Sequence, residues 1–162
     1  MNNKSNNKVC FISSSGGHFS ELKTLKPLAS KYDSILIVEK TPNFYTDFCD
    51  KVYFVSEINR KELLFLLHIF LIFIKEFFLF LREKPTTIIT TGALCSYPIS
   101  LIAKWFGREV IYVESYARVY DLSATGKKML KLADKFYVQW PELAKKYPGT
   151  IFIGNLFGSA EI

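Results

Sequence analysis

The sequence predicts an α/β domain built on a parallel sheet, and two observations carry that prediction. Short apolar or β-branched runs, typical of buried strands, recur at residues 8–12, 34–38, 52–55, 87–90, 110–113, 135–138 and 151–153. Segments with the apolar spacing of a helix separate most of these runs. Strands that alternate with helices usually form a parallel sheet, because each crossover helix returns the chain to the same edge.

The first strand leads into a short loop and a helix. Residues 13–18 of this loop read Ser-Ser-Ser-Gly-Gly-His, and apolar residues at helical spacing follow over 21–28. The polar, Asn-rich residues 1–7 predict a disordered tip, and 8–162 a single domain. A chain of 162 residues that is 49% hydrophobic can bury one core but is too short for two full domains.

A long helix is predicted over about residues 58–84, ending before Pro85. Over 63–81 it is apolar except for His68, Lys75 and Glu76. Lys61, His68, Lys75 and Arg82 recur every seven residues and therefore share one stripe of the helix.

The apolar arc of this helix is wider than one sheet face can cover, which leaves three interpretations open. It can be a core helix with a protein interface, or lie in the membrane plane, where its basic residues reach anionic headgroups. A transmembrane span is the third, although its ionisable groups would then need a polar cavity. The predicted membrane contacts are Lys61, Phe65, Phe70, Phe73, Lys75, Phe77 and Arg82.

The second half of the chain continues the alternation. The strand at 87–90 ends at Thr91-Gly92, and a helix over 96–106 stops at Gly107. The strand at 110–113 precedes a helix over 125–133, which the last two strands follow.

Charge and cysteine content narrow the classes of function. Lys and Arg outnumber Asp and Glu by 21 to 15, which suits an anionic partner such as phospholipid or a sugar diphosphate. No nucleic-acid-binding motif or metal-ligand spacing is found in the sequence, and we expect no nucleic acid, metal or cofactor. Three cysteines and no signal peptide predict that the protein resides in a reducing cytoplasm. The positions of the cysteines favour small buried thiols over a catalytic thiol.

Polar residues gather where the predicted strands end. Gly16 and Gly17 would let a phosphate approach the backbone, or form a tight structural turn. Thr91-Gly92 is open to the same two interpretations. Glu114 and Arg118 would form a polar site or a salt bridge that orders their loop. Lys127, near a helix start, indicates a phosphate or a paired acid.

Three segments resemble a known family: residues 114–119 (Glu-Ser-Tyr-Ala-Arg-Val), 122–127 (Leu-Ser-Ala-Thr-Gly-Lys) and 138–143 (Val-Gln-Trp-Pro-Glu-Leu). They are similar to the membrane-recruiting subunit of two-part glycosyltransferases, both the eukaryotic dolichol-linked GlcNAc transferase and bacterial capsule and exopolysaccharide counterparts. The Gly-Gly-His loop is shared with these and, more distantly, with the GlcNAc transferase that completes the peptidoglycan lipid precursor. The resemblance implies a Rossmann-like domain equivalent to the N-terminal, acceptor half of a GT-B glycosyltransferase.

The same resemblance implies an accessory subunit that docks a catalytic, nucleotide-sugar-binding subunit at the cytoplasmic face of the membrane. It would bind a polyprenyl-diphosphate-linked sugar for capsule or exopolysaccharide synthesis, with β-1,4 transfer, and be inactive alone. His18 and Glu114 are then the candidate catalytic residues. The predicted acceptor- and diphosphate-binding residues are Ser14, Ser15, Gly16, Gly17, Thr91, Gly92, Ser115, Arg118, Ser123, Thr125, Gly126 and Lys127.

One departure from the family affects membrane attachment. The eukaryotic subunit has an amino-terminal membrane anchor, whereas residues 1–8 here are hydrophilic. Membrane attachment must therefore come from the helix over 63–81 or from the partner, or it does not occur. We expect a peripheral location. A self-sufficient small glycosyltransferase, a non-catalytic membrane scaffold and a small nucleotide-binding module remain alternatives.

Overall fold

A seven-stranded parallel sheet forms the centre of the computed structural model, which describes residues 5–42, 44–58 and 64–158. The strands are β1 (Ser5–Ser13), β2 (Tyr32–Glu39), β3 (Lys51–Val55), β4 (Thr87–Thr90), β5 (Glu109–Val113), β6 (Lys135–Val138) and β7 (Ile151–Phe152). The helices are α1 (Gly17–Lys23), α2 (Lys26–Ala29), α3 (Phe65–Glu83), α4 (Ser96–Trp105), α5 (Ala124–Met129) and α6 (Pro141–Lys146).

The strand order, β3-β2-β1-β4-β5-β6-β7, places a topological switch point between β1 and β4. Successive side chains of a strand point to opposite faces of the sheet. Cys10 and Ile12 of β1 therefore belong to the core that includes α3 and α4, whereas Val9 and Phe11 belong to the core beneath α1 and α2. Ligands of open α/β sheets bind at the carboxyl ends of the strands beside such a switch point.

Helices cover only part of one face of the sheet. Helices α1 and α2 pack over β1 and β2. Over β4 and β5 the same face borders a cavity of about 380 Å³, lined by Ile89, Ile111 and Val113. Residues 153–156, which follow β7, form the opposite wall. This half of the face is therefore an apolar surface that the described residues leave partly open.

Most predicted elements are present, with different ends. β1 begins at Ser5, because its pairing with β2 continues past an irregularity before Lys8, so the strand includes residues 5–7 of the predicted tip. Residues 1–4 lie outside the described residues. The helical pattern over 21–28 is divided into α1 and α2, and Pro27 stands in the first turn of the second helix. Helix α6 was not predicted.

The long helix is shorter than predicted. It begins at Phe65 instead of near residue 58, and residues 59–63, with Lys61, lie outside the described residues. Lys84, in the left-handed conformation with φ 50°, ends it one residue before Pro85. No helix in the described part of the chain has both the length and the hydropathy to cross a membrane.

The two acids of α3 face the protein. Burial alone would raise the pKa of Glu83, but hydrogen bonds from Tyr53, Lys8 and Lys51 outweigh it and hold the pKa at about 2. Glu76 is fully buried, and desolvation raises its pKa well above the usual range because the Ile99 backbone compensates little. Glu83 therefore fastens the end of α3 to the sheet as an ion, whereas burial disfavours the ionised form of Glu76.

The outer face of α3 is apolar with basic residues. We call its exposed hydrophobic side chains the α3 face: Leu64, Leu66, Leu67, Phe70, Leu71, Ile74, Phe78 and Leu81. Lys75 and Arg82 are exposed on the same helix. Of the predicted membrane contacts, Phe65, Phe73 and Phe77 are half-buried instead of exposed, because Phe73 packs on Trp105 and Phe77 on Phe106.

Candidate functional site

His18 and the end of β4 meet at the switch point. His18 Nδ1 lies 2.8 Å from the Thr91 carbonyl oxygen, and the Thr91 hydroxyl donates to the His18 carbonyl at 2.6 Å. A carbonyl oxygen can only accept, so Nδ1 carries a proton, and the tautomer of a neutral ring that this contact selects has its lone pair on Nε2. The predicted proximity of these two loops is thereby confirmed, with Thr91 holding His18.

The loop after β4 is built to receive the His18 ring. A Cβ on Gly92 would lie 2.9 Å from two atoms of that ring, and Gly92 has φ +113°. Ala93 also has a positive φ, 74°, which is unfavourable for a residue with a side chain. Gly92 is therefore required by both its backbone and its neighbour, and the strain at Ala93 lies at the candidate site.

Gly16 and Gly17 have no such internal reason to be glycine. Both are exposed, neither has a positive φ, and a Cβ on either would meet nothing within 4 Å. Ser14 and Ser15, just before them, are half-buried. The loop thus presents open backbone beside His18, which permits close approach of a ligand.

Glu114 is a structural centre instead of an accessible carboxylate. It is fully buried, and its oxygens accept hydrogen bonds from the Ser115 N–H, the Ser123 N–H and the Ser123 hydroxyl at 2.9–3.1 Å. A Cβ on Gly126 would collide with this carboxylate. Because a general base must reach the substrate hydroxyl, the candidate catalytic role of Glu114 does not fit its burial.

Three predicted ligand contacts around Glu114 are also internal. Ser123 caps α5 by accepting from the Gly126 N–H at 2.9 Å, and Gly126 is itself buried. The Ser115 hydroxyl is buried and donates to Glu21 at 2.8 Å. These residues order the loop between β5 and α5, and their contact with the acceptor stays a prediction.

The two predicted cations differ in availability. Lys127 donates to Asp121 at 2.8 Å, and this bond raises the pKa of Lys127. The sequence indicated either a phosphate or a paired acid for Lys127, and in the structure Lys127 is paired with the acid Asp121. Arg118 is exposed and makes no ion pair with the described residues, so the predicted Glu114–Arg118 salt bridge is absent there. Arg118 can therefore contact an anion.

Glu21 is the important residue that the sequence analysis missed. This buried acid of α1 accepts from the Tyr116 N–H at 3.2 Å and from the Gln139 side-chain amide at 2.8 Å. Gln139 in turn accepts from the Leu156 N–H at 2.8 Å. Glu21 thus connects α1 to the loops that follow β5 and β6 and, through Gln139, to the segment that follows β7. The available signal was an acid beside Leu22 on the buried face of a short helix.

Aromatic side chains close this edge. The Trp140 ring stacks against Tyr116 with ring centroids 4.9 Å apart, and its Nε1–H donates to the Tyr116 carbonyl at 2.7 Å. Phe157 packs edge-on against Tyr116 at 5.5 Å. The loop that carries Arg118 is therefore held between β6 and the C-terminal segment.

Together these residues can bind an anion and accept a proton. His18 supplies an imidazole with a defined tautomer, Gly16 and Gly17 supply open backbone, and Arg118 supplies a free cation. No group of acidic, histidine or cysteine side chains in the described part of the chain has the arrangement of a metal site.

Solved structures with this fold are longer than the chain. Staphylococcus aureus MnaA, in a co-structure with UDP, aligns with a TM-score of 0.72 and 15% identity over 93% of this chain and 45% of MnaA. Acinetobacter baumannii MurG aligns with a TM-score of 0.68 and 14% identity over 92% of this chain and 45% of MurG. The predicted Rossmann-like fold, equivalent to the N-terminal half of a GT-B protein, is confirmed.

Sequence relatives agree with one another in name. The mouse UDP-N-acetylglucosamine transferase subunit ALG14 is 40% identical over 87 residues, covering 50% of this chain and 40% of the mouse protein. The Schizosaccharomyces pombe subunit alg14 is 47% identical over 58 residues, covering 35% and 28%. The chain thus spans less than half the length of these relatives. The pattern of the family described as "Oligosaccharide biosynthesis protein Alg14 like" matches residues 51–156. The chain therefore belongs to the Alg14-like family of oligosaccharide biosynthesis proteins.

Proposed function

We propose that the chain is the acceptor-binding subunit of a two-chain UDP-N-acetylglucosamine transferase. The observation that carries the proposal is the polar carboxyl edge, where Thr91 holds His18 beside open backbone in a fold that aligns with 45% of MurG. The printed names of the ALG14 relatives, subunits of a UDP-N-acetylglucosamine transferase, support the donor class.

The acceptor in this proposal is a polyprenyl-diphosphate-linked sugar used in capsule or exopolysaccharide synthesis, with β-1,4 transfer. The resemblance of residues 114–119, 122–127 and 138–143 to the bacterial subunits supports this narrower assignment. Arg118 would contact the diphosphate, and the open backbone at Gly16 and Gly17 would face the ligand.

His18 is the proposed general base. Nε2 would take the proton of the acceptor hydroxyl while the hydroxyl oxygen bonds to the anomeric carbon of the donor sugar. The bond from that carbon to UDP breaks, and the catalytic subunit supplies the UDP site. The Thr91 carbonyl holds the imidazole in the tautomer that this step needs.

The catalytic subunit would dock beside the site on the C-terminal segment. Ile153 is 80% exposed and lines the apolar cavity over β4 and β5, whereas Phe157, which is 55% exposed, follows the lining residue Leu156. Phe157 also contacts Tyr116 of the site loop. A partner that covered this surface would bury exposed apolar area and complete the site with one interface.

The α3 face would attach the protein peripherally to the cytoplasmic face of the membrane. Its exposed side chains are apolar, its exposed charges Lys75 and Arg82 are basic, and its two described acids are buried. Anionic headgroups complement that pattern better than a polar protein surface does.

Reconstitution tests the proposed function. We expect the purified chain alone to transfer no N-acetylglucosamine from UDP-N-acetylglucosamine to a polyprenyl-diphosphate-linked sugar, and its complex with the nucleotide-sugar-binding chain to do so. Radiolabelled product in the lipid phase is the measurement. Turnover by the isolated chain would instead support a self-sufficient enzyme. Full turnover by the partner without this chain would support a scaffold.

A further inference from the structure

A groove at the carboxyl edge has no role in the site described above. It lies between the N-terminal ends of α3 and α5 and has a volume of about 260 Å³. Its lining residues are Phe65, Leu94, Ala124, Thr125 and Lys128. Leu94 directly follows the strained Ala93 of the β4 loop.

Tyr112 relates this groove to His18. The Tyr112 hydroxyl would lie 3.5 Å from a Cβ on Gly92, whose other neighbour is the His18 ring. The same hydroxyl lies 3.4 Å from the Ser123 hydroxyl, which caps α5. The Tyr112 hydroxyl therefore lies between the residues that precede two sides of the groove, Leu94 and Ala124, and the surroundings of His18.

The groove combines an apolar lining with a cation. The Lys128 ammonium lies 5.6 Å from the centre of the Tyr97 ring and forms no ion pair with a described residue. Its neighbour Lys127 is paired with Asp121. Lys128 is thus the available lysine of α5, and an anionic group in the groove would compensate its charge.

The other end of the groove adjoins the α3 face. Phe65 is the first residue of α3, and its neighbours Leu64 and Leu66 are exposed members of that face. A molecule that joins a hydrocarbon chain to an anionic head would therefore find an apolar path from the α3 face toward His18.

We propose that this groove binds the isoprene units nearest the diphosphate of the acceptor, with Lys128 beside the diphosphate. The inference depends on the proposed function for the identity of the ligand, and it adds the place where the lipid part binds. Phe65, Leu94 and Ala124 would contact the hydrocarbon, and Lys128 the charge.

Binding of farnesyl diphosphate to the full chain tests the groove without any enzymatic assay. By calorimetry we expect wild type to bind farnesyl diphosphate at least tenfold more tightly than inorganic diphosphate. Ala124 is exposed, so Ala124→Phe can fill the groove without entering the core. It should weaken farnesyl diphosphate binding at least tenfold and leave inorganic diphosphate binding unchanged.

Two lysine variants make a matched comparison. Lys128→Met should weaken binding of both ligands, whereas Lys131→Met, which removes the same charge from the exposed turn after α5, should weaken neither. Should Ala124→Phe lower the melting temperature, the smaller Ala124→Leu replaces it and should give a partial loss.

Equal farnesyl diphosphate affinity in wild type and both Ala124 variants would overturn the groove assignment, as would the absence of farnesyl diphosphate binding to wild type. These results can be told apart from failure of the proposed function. If the reconstituted wild-type complex is active and Ala124→Phe binds farnesyl diphosphate as tightly as wild type does, the groove assignment alone is refuted. If the reconstituted wild-type complex is inactive, the proposed function is refuted.

Discussion

His18→Ala should lower kcat of the reconstituted complex by at least about 100-fold, because it removes the proposed general base of the transfer step. The reason is geometric: the Thr91 carbonyl accepts from Nδ1 at 2.8 Å and leaves Nε2 to accept the acceptor proton. The measurement is initial rate at saturating UDP-N-acetylglucosamine and acceptor, with circular dichroism and partner association as checks on folding.

A second variant distinguishes a general-base role of His18 from a role that depends only on its hydrogen bond to Thr91. An asparagine at position 18 can donate an amide hydrogen bond to the Thr91 carbonyl but has no basic nitrogen. We expect His18→Asn to be as inactive as His18→Ala, and Ser20→Ala, on the exposed side of the same helix, to be fully active. Wild-type turnover by His18→Asn would show that His18 acts through its hydrogen bond alone.

Replacing Leu66, Phe70 and Phe78 by glutamine should reduce binding to anionic vesicles at least tenfold. These side chains are 77%, 57% and 64% exposed, so the substitutions change the α3 face and leave the core intact. Burial of one such side chain contributes about 1.5–3 kcal/mol, and a tenfold change corresponds to about 1.4 kcal/mol. Sedimentation with vesicles that contain phosphatidylglycerol is the measurement.

A matched triple variant controls for loss of exposed apolar area. Tyr45, Tyr120 and Ile153 are 88%, 75% and 80% exposed and are not part of α3, so their replacement by glutamine should leave vesicle binding unchanged. High salt and neutral vesicles should both weaken binding by wild type, because Lys75 and Arg82 contribute electrostatically. Unaltered sedimentation of the Leu66, Phe70 and Phe78 variant would make the α3 face a protein interface.

The strands at the centre of the sheet could be predicted because β1 and β2 carry continuous runs of buried residues, which are mostly apolar. Their ends could not, since pairing extends into polar residues such as Ser5 and Glu39. Helix α6 has six residues, and burial of Leu143 in the core contributes to it. Local pattern carries little information about an element that depends on tertiary contacts.

Part of the site could be predicted from the topology of the sheet. Parallel strands bring their carboxyl ends to one edge, so the contact between His18 and the β4 loop followed from topology. Which polar side chains turn inward did not follow. Glu21, Glu114 and Gln139 are buried in one hydrogen-bond network, in which the Gln139 side-chain amide donates to the Glu21 carboxylate and to the Glu114 backbone carbonyl. Sequence spacing does not encode such a network.

The central claim is that this chain holds the acceptor and not the nucleotide sugar. Nuclear magnetic resonance of the isotope-labelled chain tests it directly, by following the Gly16 and Gly17 amides and the His18 ring. A farnesyl-diphosphate-linked sugar should shift these signals, UDP-N-acetylglucosamine should not, and Gly17→Val, which the open space at Gly17 accommodates, should abolish the shifts. Shifts with UDP-N-acetylglucosamine and none with the lipid-linked sugar would contradict the account.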